Sequence, residues 1–201
     1  MPSAVASVAH YGRDMAEDLR SVAACDIPTP LLRPAQLAPE VAEAAASRGL
    51  QAFYGQLGHA PGVIDSWLRF YQPLVTGGAL ELRTKELCRL RIAARNGCMF
   101  CLGGRFRDAD GTPVVDDDDV DAVLAGRFDD ARFTARERAA LTFTEAFRVD
   151  HTSVDAALVA ATLEHLSEAE LVELAICLAQ FTGMGQLFAM LGIPSPVPAT
   201  G

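Results

Sequence analysis

This 201-residue chain holds no convincing run of alternating β-branched residues, the pattern that a half-buried strand needs. Apolar residues instead recur every three or four positions, and the breaks between such stretches carry helix-start and helix-stop residues. One helix is expected over Val5 to Ala24, ended by Pro28-Thr29-Pro30, and a second from Pro39 to about Leu57. A third opens at Pro61 and ends at Gly77-Gly78; two more, Thr84 to Arg95 and Cys98 to Asp108, join tightly around Asn96-Gly97. After the polar turn Asp110 to Asp119 a short helix stops at Gly126. Capping boxes at Thr134-Ala135-Arg136-Glu137 and Ser167-Glu168-Ala169-Glu170 start helices to about Phe147 and Leu191, with Ser153 to Leu163 between them. The expected fold class is all-α. The last helix is apolar on nearly every side, so it should be central to a bundle or shared with another subunit.

Charge removes several function classes. The net charge is −9 with no dense Lys/Arg stretch, which argues against nucleic acid and against an anionic membrane surface. No apolar run is expected to reach the roughly 18 to 20 residues of a membrane span. The start Met1-Pro2-Ser3-Ala4-Val5-Ala6 lacks the basic residues of a signal peptide, so a cytoplasmic location is expected. Five cysteines, only two of them at a motif spacing, fit a reducing compartment better than a disulfide scaffold.

Glu86 is the most informative residue. At about 100° per residue it falls in the apolar arc of Leu87, Leu90, Ala93 and Ala94, whereas Arg89, Arg91 and Arg95 fall outside it. A carboxylate there needs a partner. In the following helix Cys98, Cys101, Leu102 and Arg105 share a face at i, i+3, i+4 and i+7. Glu86 lies roughly 15 Å before the connecting turn and Arg105 roughly 10 Å after it at 1.5 Å per residue. Antiparallel packing would bring Glu86, Arg105 and Cys101 into one buried cluster. The plainer alternative, of equal weight on spacing alone, is an ion pair steadying a helical hairpin beside two core thiols.

Cys98-Met99-Phe100-Cys101 lacks the further ligands that zinc requires, so no metal is expected. Cys88 and Cys177, set among Leu87, Leu90, Ile176 and Leu178, read as inert core thiols. A dithiol at a helix start suits redox chemistry, because the helix dipole favours a thiolate there. The Asp116 to Asp119 run reads as a solvated helix start, and His165 at a helix end is given no chemistry. Trp67, Phe70 and Tyr71 at helical spacing are core or pocket wall.

Leu82-Arg83-Thr84-Lys85-Glu86-Leu87 followed by Asn96-Gly97-Cys98-Met99-Phe100-Cys101 resembles the carboxymuconolactone decarboxylase superfamily, especially its alkylhydroperoxidase D-like branch. The likeness runs from about Gln51, including His59-Ala60-Pro61, to Leu191-Gly192-Ile193. It implies a helical bundle assembled as a homo-oligomer, with residues 1–44 as a helical extension, 45–193 as the family-like domain and 194–201 as a loose tail. It implies a thiol peroxidase or disulfide reductase with no organic cofactor, a dithiol electron donor and a small hydroperoxide or similar substrate. Carried over, Cys101 attacks peroxide and Cys98 resolves the sulfenic acid, although the helix dipole alone favours Cys98. The likeness also gives His59 and Phe100 as weaker substrate-site candidates; a turn histidine with a structural hydrogen bond is the commoner case.

Two positions depart from the branch. Arg105 stands where the family has a proton-relaying His, and Arg stays charged at neutral pH. It can still hold a thiolate or grip an anionic substrate. Phe100 stands where the peroxidase can carry another His. Two other function classes therefore stay open. One is a cofactor-free lyase or isomerase on a small unsaturated or lactone acid, with Arg105 on a carboxylate and Glu86 or His59 moving a proton. The other is a non-catalytic ligand-binding oligomer.

Overall fold

The computed structural model describes residues 30–196; the expected helix Val5 to Ala24 lies outside them. Proline at its first turn starts α1 (Pro39–Ser47), and α2 (Gln51–Leu57) follows after a break. The single helix expected across this stretch divides because Gly49 takes φ +66°. There the amides of Gly49 and Leu50 fold back on Ala46 O and Ala45 O at 3.2 and 2.8 Å. The segment before α1 packs along α2: Ala35 donates to Gly55 O at 2.7 Å and Gln56 Nε2 to Leu32 O at 3.1 Å. α1 runs through the 44/45 boundary drawn from the sequence.

α3 (Pro61–Thr76) and α4 (Leu82–Asn96) match their expected spans closely. α4 ends at Gly97, φ +59°, whose left-handed conformation turns the chain directly into α5 (Met99–Gly103). α5 has five residues, not the eleven expected from Cys98 to Asp108, because Gly103-Gly104 stops it. α6 (Asp117–Leu124) begins in a capping box between Asp116 and Asp119, so Asp119 is buried rather than solvated. Capping boxes at Thr134/Glu137 and Ser167/Glu170 start α7 (Ala135–Asp150) and, after α8 (Ala156–Leu163), α9 (Glu168–Met190). Among the described residues there is no β-strand, only one isolated bridge between Arg107 and Pro113. The fold class is all-α, as expected.

The centre of the bundle is α4, which packs against α6, α7 and α9. Of the two places expected for α9, central to the bundle or shared with another subunit, the central one is taken by α4. Leu174, Cys177, Leu178, Phe181 and Phe188 of α9 are buried, but Val172 and Ile176 are 60% and 41% exposed. By length and composition α9 also meets the criterion for a membrane span, with mean hydropathy 1.4, contrary to the expectation that no segment would. Here its apolar side lies on α4, and its Glu173 is paired with Lys85 at 2.5 Å.

Residues 84–94 of α4 are all buried although four of them are charged. Lys85 and Glu86 have no exposed surface, and Arg89 and Arg91 keep only 6% and 3%. Each is paired within the bundle, as burial demands. Lys85 closes the C-terminal carbonyls of α3, donating to Leu74 O at 2.8 Å and Gly77 O at 2.5 Å. Arg91 reaches Glu145 at 2.7 Å, and Arg148 completes that group from the other side. Two apolar cores flank α4. The larger gathers Leu87, Leu90, Val123, Leu141 and Leu178; the smaller gathers Phe53, Leu57, Ile64, Cys98 and Phe188.

Candidate active site

Cys98 and Cys101 form a disulfide, with Cα atoms 5.2 Å apart. Cys98 caps α5: its sulfur accepts the Cys101 N–H at 3.2 Å, and the residue is completely buried. Cys101, half-buried one turn on, lines a cavity of about 490 Å³ at the seam between the two cores. Cys101 thus borders a space where a small molecule fits, and Cys98 is sealed from solvent.

The wall of that cavity is largely aromatic. Phe100 stacks on Phe53 at 5.2 Å and meets Phe188 edge-on at 5.5 Å. Trp67 and Tyr71 stack at 4.6 Å on the α3 side, and Trp67 Nε1 donates to Gln180 Oε1 at 3.0 Å. Burial pushes the Tyr71 phenol up to about 12, against a lowering by Arg89, so it stays protonated at neutral pH. Phe100 is one of the residues that line this wall.

Glu86 is buried, as its place in the apolar arc requires, but its partner is Arg89 and not Arg105. Arg89 Nε and Nη2 grip Glu86 Oε2 and Oε1 at 2.6 and 2.8 Å, and Phe106 N–H donates to Oε1 at 3.1 Å. Burial alone would lower the Arg89 pKa; the adjacent carboxylate outweighs burial and holds it above its ordinary value. Arg89 also donates to Cys101 O at 2.5 Å and Gly104 O at 2.9 Å, and lies over the Phe106 ring at 4.8 Å. The carboxylate is therefore tied through one guanidinium to the backbone of the reactive turn.

Arg105 does not join Glu86 because α5 ends before it. The i+7 register that would carry it along the face of Cys98 needs a helix that Gly103-Gly104 terminates. Its Nη1 turns back on Leu102 O at 2.5 Å and Gly104 O at 2.9 Å, while the residue lines the same cavity as Cys101. His59 does not line the cavity: its Nε2 pairs with Arg33 O at 2.9 Å in an exposed turn. Its candidacy as a substrate-site residue is corrected accordingly. Arg89 falls outside the apolar arc that singles out Glu86; the i, i+3 Glu–Arg spacing is the sequence signal that pairs them. Arg48, Phe53 and Phe188 carry no motif and are recruited by folding alone.

Cys88 and Cys177 are buried free thiols, their pKa values pushed up by burial to about 12 and 11, which keeps them inert. Among the described residues no three His, Cys, Asp or Glu side chains are grouped as metal ligands.

No curated protein matches the chain. Residues 61–146 match the family model for carboxymuconolactone decarboxylase, a stretch from the start of α3 into α7 that contains Glu86, Arg89, Cys98, Cys101 and Arg105. The cavity residues Arg48, Phe53, Phe181 and Phe188 lie outside that stretch. Over residues 61–146, with its helical fold and its paired cysteines at the cavity, this chain is similar to the carboxymuconolactone decarboxylase family.

Proposed function

We propose that the protein is a thiol-dependent oxidoreductase of the alkylhydroperoxidase D-like kind, reducing a small organic hydroperoxide. The observation that carries this reading is the asymmetric dithiol: Cys101 on the cavity wall, Cys98 buried behind it and bonded to it. The Cys101 thiolate attacks the distal peroxide oxygen; the O–O bond breaks, the alcohol leaves with a proton, and Cys101 becomes a sulfenic acid. Cys98 sulfur displaces its hydroxyl as water and the disulfide forms. A dithiol donor then returns both thiols by exchange and is itself oxidised to a disulfide. Hydroperoxide and dithiol give alcohol, water and disulfide.

Arg89 positions the turn through Cys101 O, and Arg105 adds positive charge to the same wall. With Arg105 in place of a histidine, the proton for the leaving alcohol comes from solvent through the cavity mouth. A reducing, cytoplasmic setting would supply the dithiol donor. The exposed apolar stripe Val172 and Ile176 of α9 supports assembly into a homo-oligomer, where that face would be covered. Ile176→Glu should then shift the particle to a smaller mass in light scattering after size exclusion.

The deciding experiment follows alkylation of the reduced protein against pH. Reduced Cys101 should react well below the free-thiol value of about 8.5. Cys101→Ser should abolish peroxide consumption, and Cys98→Ser should allow one turnover that stops at a trapped sulfenic acid. If both single variants keep turning over, the thiol reading fails and the cofactor-free lyase becomes the stronger one.

A further inference from the structure

The cavity beside Cys101 is charged opposite to the chain around it. The chain has 26 Asp and Glu against 17 Lys and Arg, yet among the described residues the cavity is lined by Arg48, Arg89 and Arg105 and by no carboxylate. Glu86 neutralises Arg89. The other two have no acidic partner among the described residues: the ion pairs of the bundle use Arg83, Lys85, Arg89, Arg91, Arg132, Arg136 and Arg148. Arg105 spends only Nη1, on two backbone carbonyls, so its Nε and Nη2 have no hydrogen-bond partner among the described residues. A guanidinium keeps its charge at any physiological pH, and positive charge in a low-dielectric cleft concentrates anions. Away from these groups the wall is the aromatic set Phe53, Trp67, Phe100 and Phe188.

We propose that this cavity selects an amphipathic carboxylate, its head held by Arg48 and Arg105 and its apolar body by the aromatic wall. The proposal rests on the oxidoreductase reading for placing substrate beside Cys101, and it narrows the hydroperoxide to one that carries an acid group. The carboxylate takes no part in bond breaking; it orients the peroxide toward Cys101. A volume of about 490 Å³ suits one such molecule, within the ~300–1,000 Å³ common for small-ligand sites.

Trp67 is the chain's single tryptophan and lies on the wall, so its fluorescence reports occupancy. The oxidised full chain is titrated with decanoate and with decanol, and calorimetry gives the affinities. Decanoate should bind at least about tenfold more tightly than decanol, the worth of one charge-assisted hydrogen bond. Arg48→Gln and Arg105→Gln should each remove most of that preference while leaving decanol unchanged. Arg48 is exposed, so its replacement keeps the fold, which circular dichroism checks. Equal affinity for the two ligands, no decanoate binding, or a preference untouched in both variants overturns the proposal. The titration is repeated in the double variant Cys98→Ser, Cys101→Ser. A preserved preference there, with a wild type inert toward hydroperoxides, sinks the thiol chemistry and keeps the anion site. Turnover of neutral hydroperoxides without any preference for the acid does the reverse.

Discussion

Glu86 shows how a single buried charge is made tolerable. Both of its oxygens are occupied by Arg89, and one also accepts the Phe106 N–H. Removing the charge from one side leaves the guanidinium buried without its counter-ion, which costs about 3–5 kcal/mol. Glu86→Gln should therefore lower the urea midpoint strongly with an unchanged denaturant slope. The double replacement Glu86→Leu, Arg89→Met should recover much of that loss, because a well-packed apolar pair spares both desolvations. If the double variant is as unstable as the single one, the two residues do more than compensate each other. Its peroxide kinetics would then show whether the anchoring of Cys101 O by Arg89 matters to turnover.

At the scale of elements, the register of α4 against α9 is what brings Cys101 up to the aromatic wall. That register depends on Gly185, where a Cβ would collide with the amide of Asn96. The same amide donates to Phe181 O and Thr182 O at 3.1 and 3.2 Å, one turn before the glycine. Gly185→Ala should displace Asn96 and forfeit those bonds, about 0.5–1.5 kcal/mol each, minus a small gain in helix propensity. Asn96→Ala should cost a similar amount. The two together should cost clearly less than their sum in thermal unfolding, since the second change removes what the first already broke. Additive losses would mean that the two positions are energetically independent.

For the whole molecule, buried ion pairs around α4 tie stability to acid pH. Burial raises the carboxyls of Glu145, Glu173 and Asp119. Stronger opposing contacts hold all three below their ordinary values: Arg148 and Arg91, Lys85 with Ala79 N–H, and Arg83, respectively. With folded pKa values below unfolded ones, the unfolded chain takes up protons first as pH falls. The stabilisation is thus complete above the unfolded values of 4.5 and 3.8 and is lost as pH drops through the lower folded ones. The melting temperature should stay level from neutrality down to about pH 5 and then fall. Glu173→Gln should start lower, with Lys85 left unpaired, and decline less steeply. A wild type that melts at the same temperature at pH 3 and pH 7 would contradict this account.

Helix order, the two capping boxes, the dithiol and the burial of Glu86 were legible in the sequence because each rests on contacts within about one helical turn. Periodicity, capping and Cys spacing are local properties, and they survive whatever the rest of the chain does. The break at Gly49 and the early end of α5 at Gly103-Gly104 were carried by local residues but outweighed by longer apolar patterns. Which helix lies at the centre was decided only in three dimensions. α4, rich in charge, is enclosed because its partners Glu145 and Glu173 arrive from α7 and α9, and no hydropathy profile contains a partner 54 or 88 positions away. The cavity is likewise tertiary: Arg48, Phe53, Trp67, Arg105 and Phe188 come from five separate stretches. Their meeting beside Cys101 follows from how two cores pack, not from any spacing along the chain.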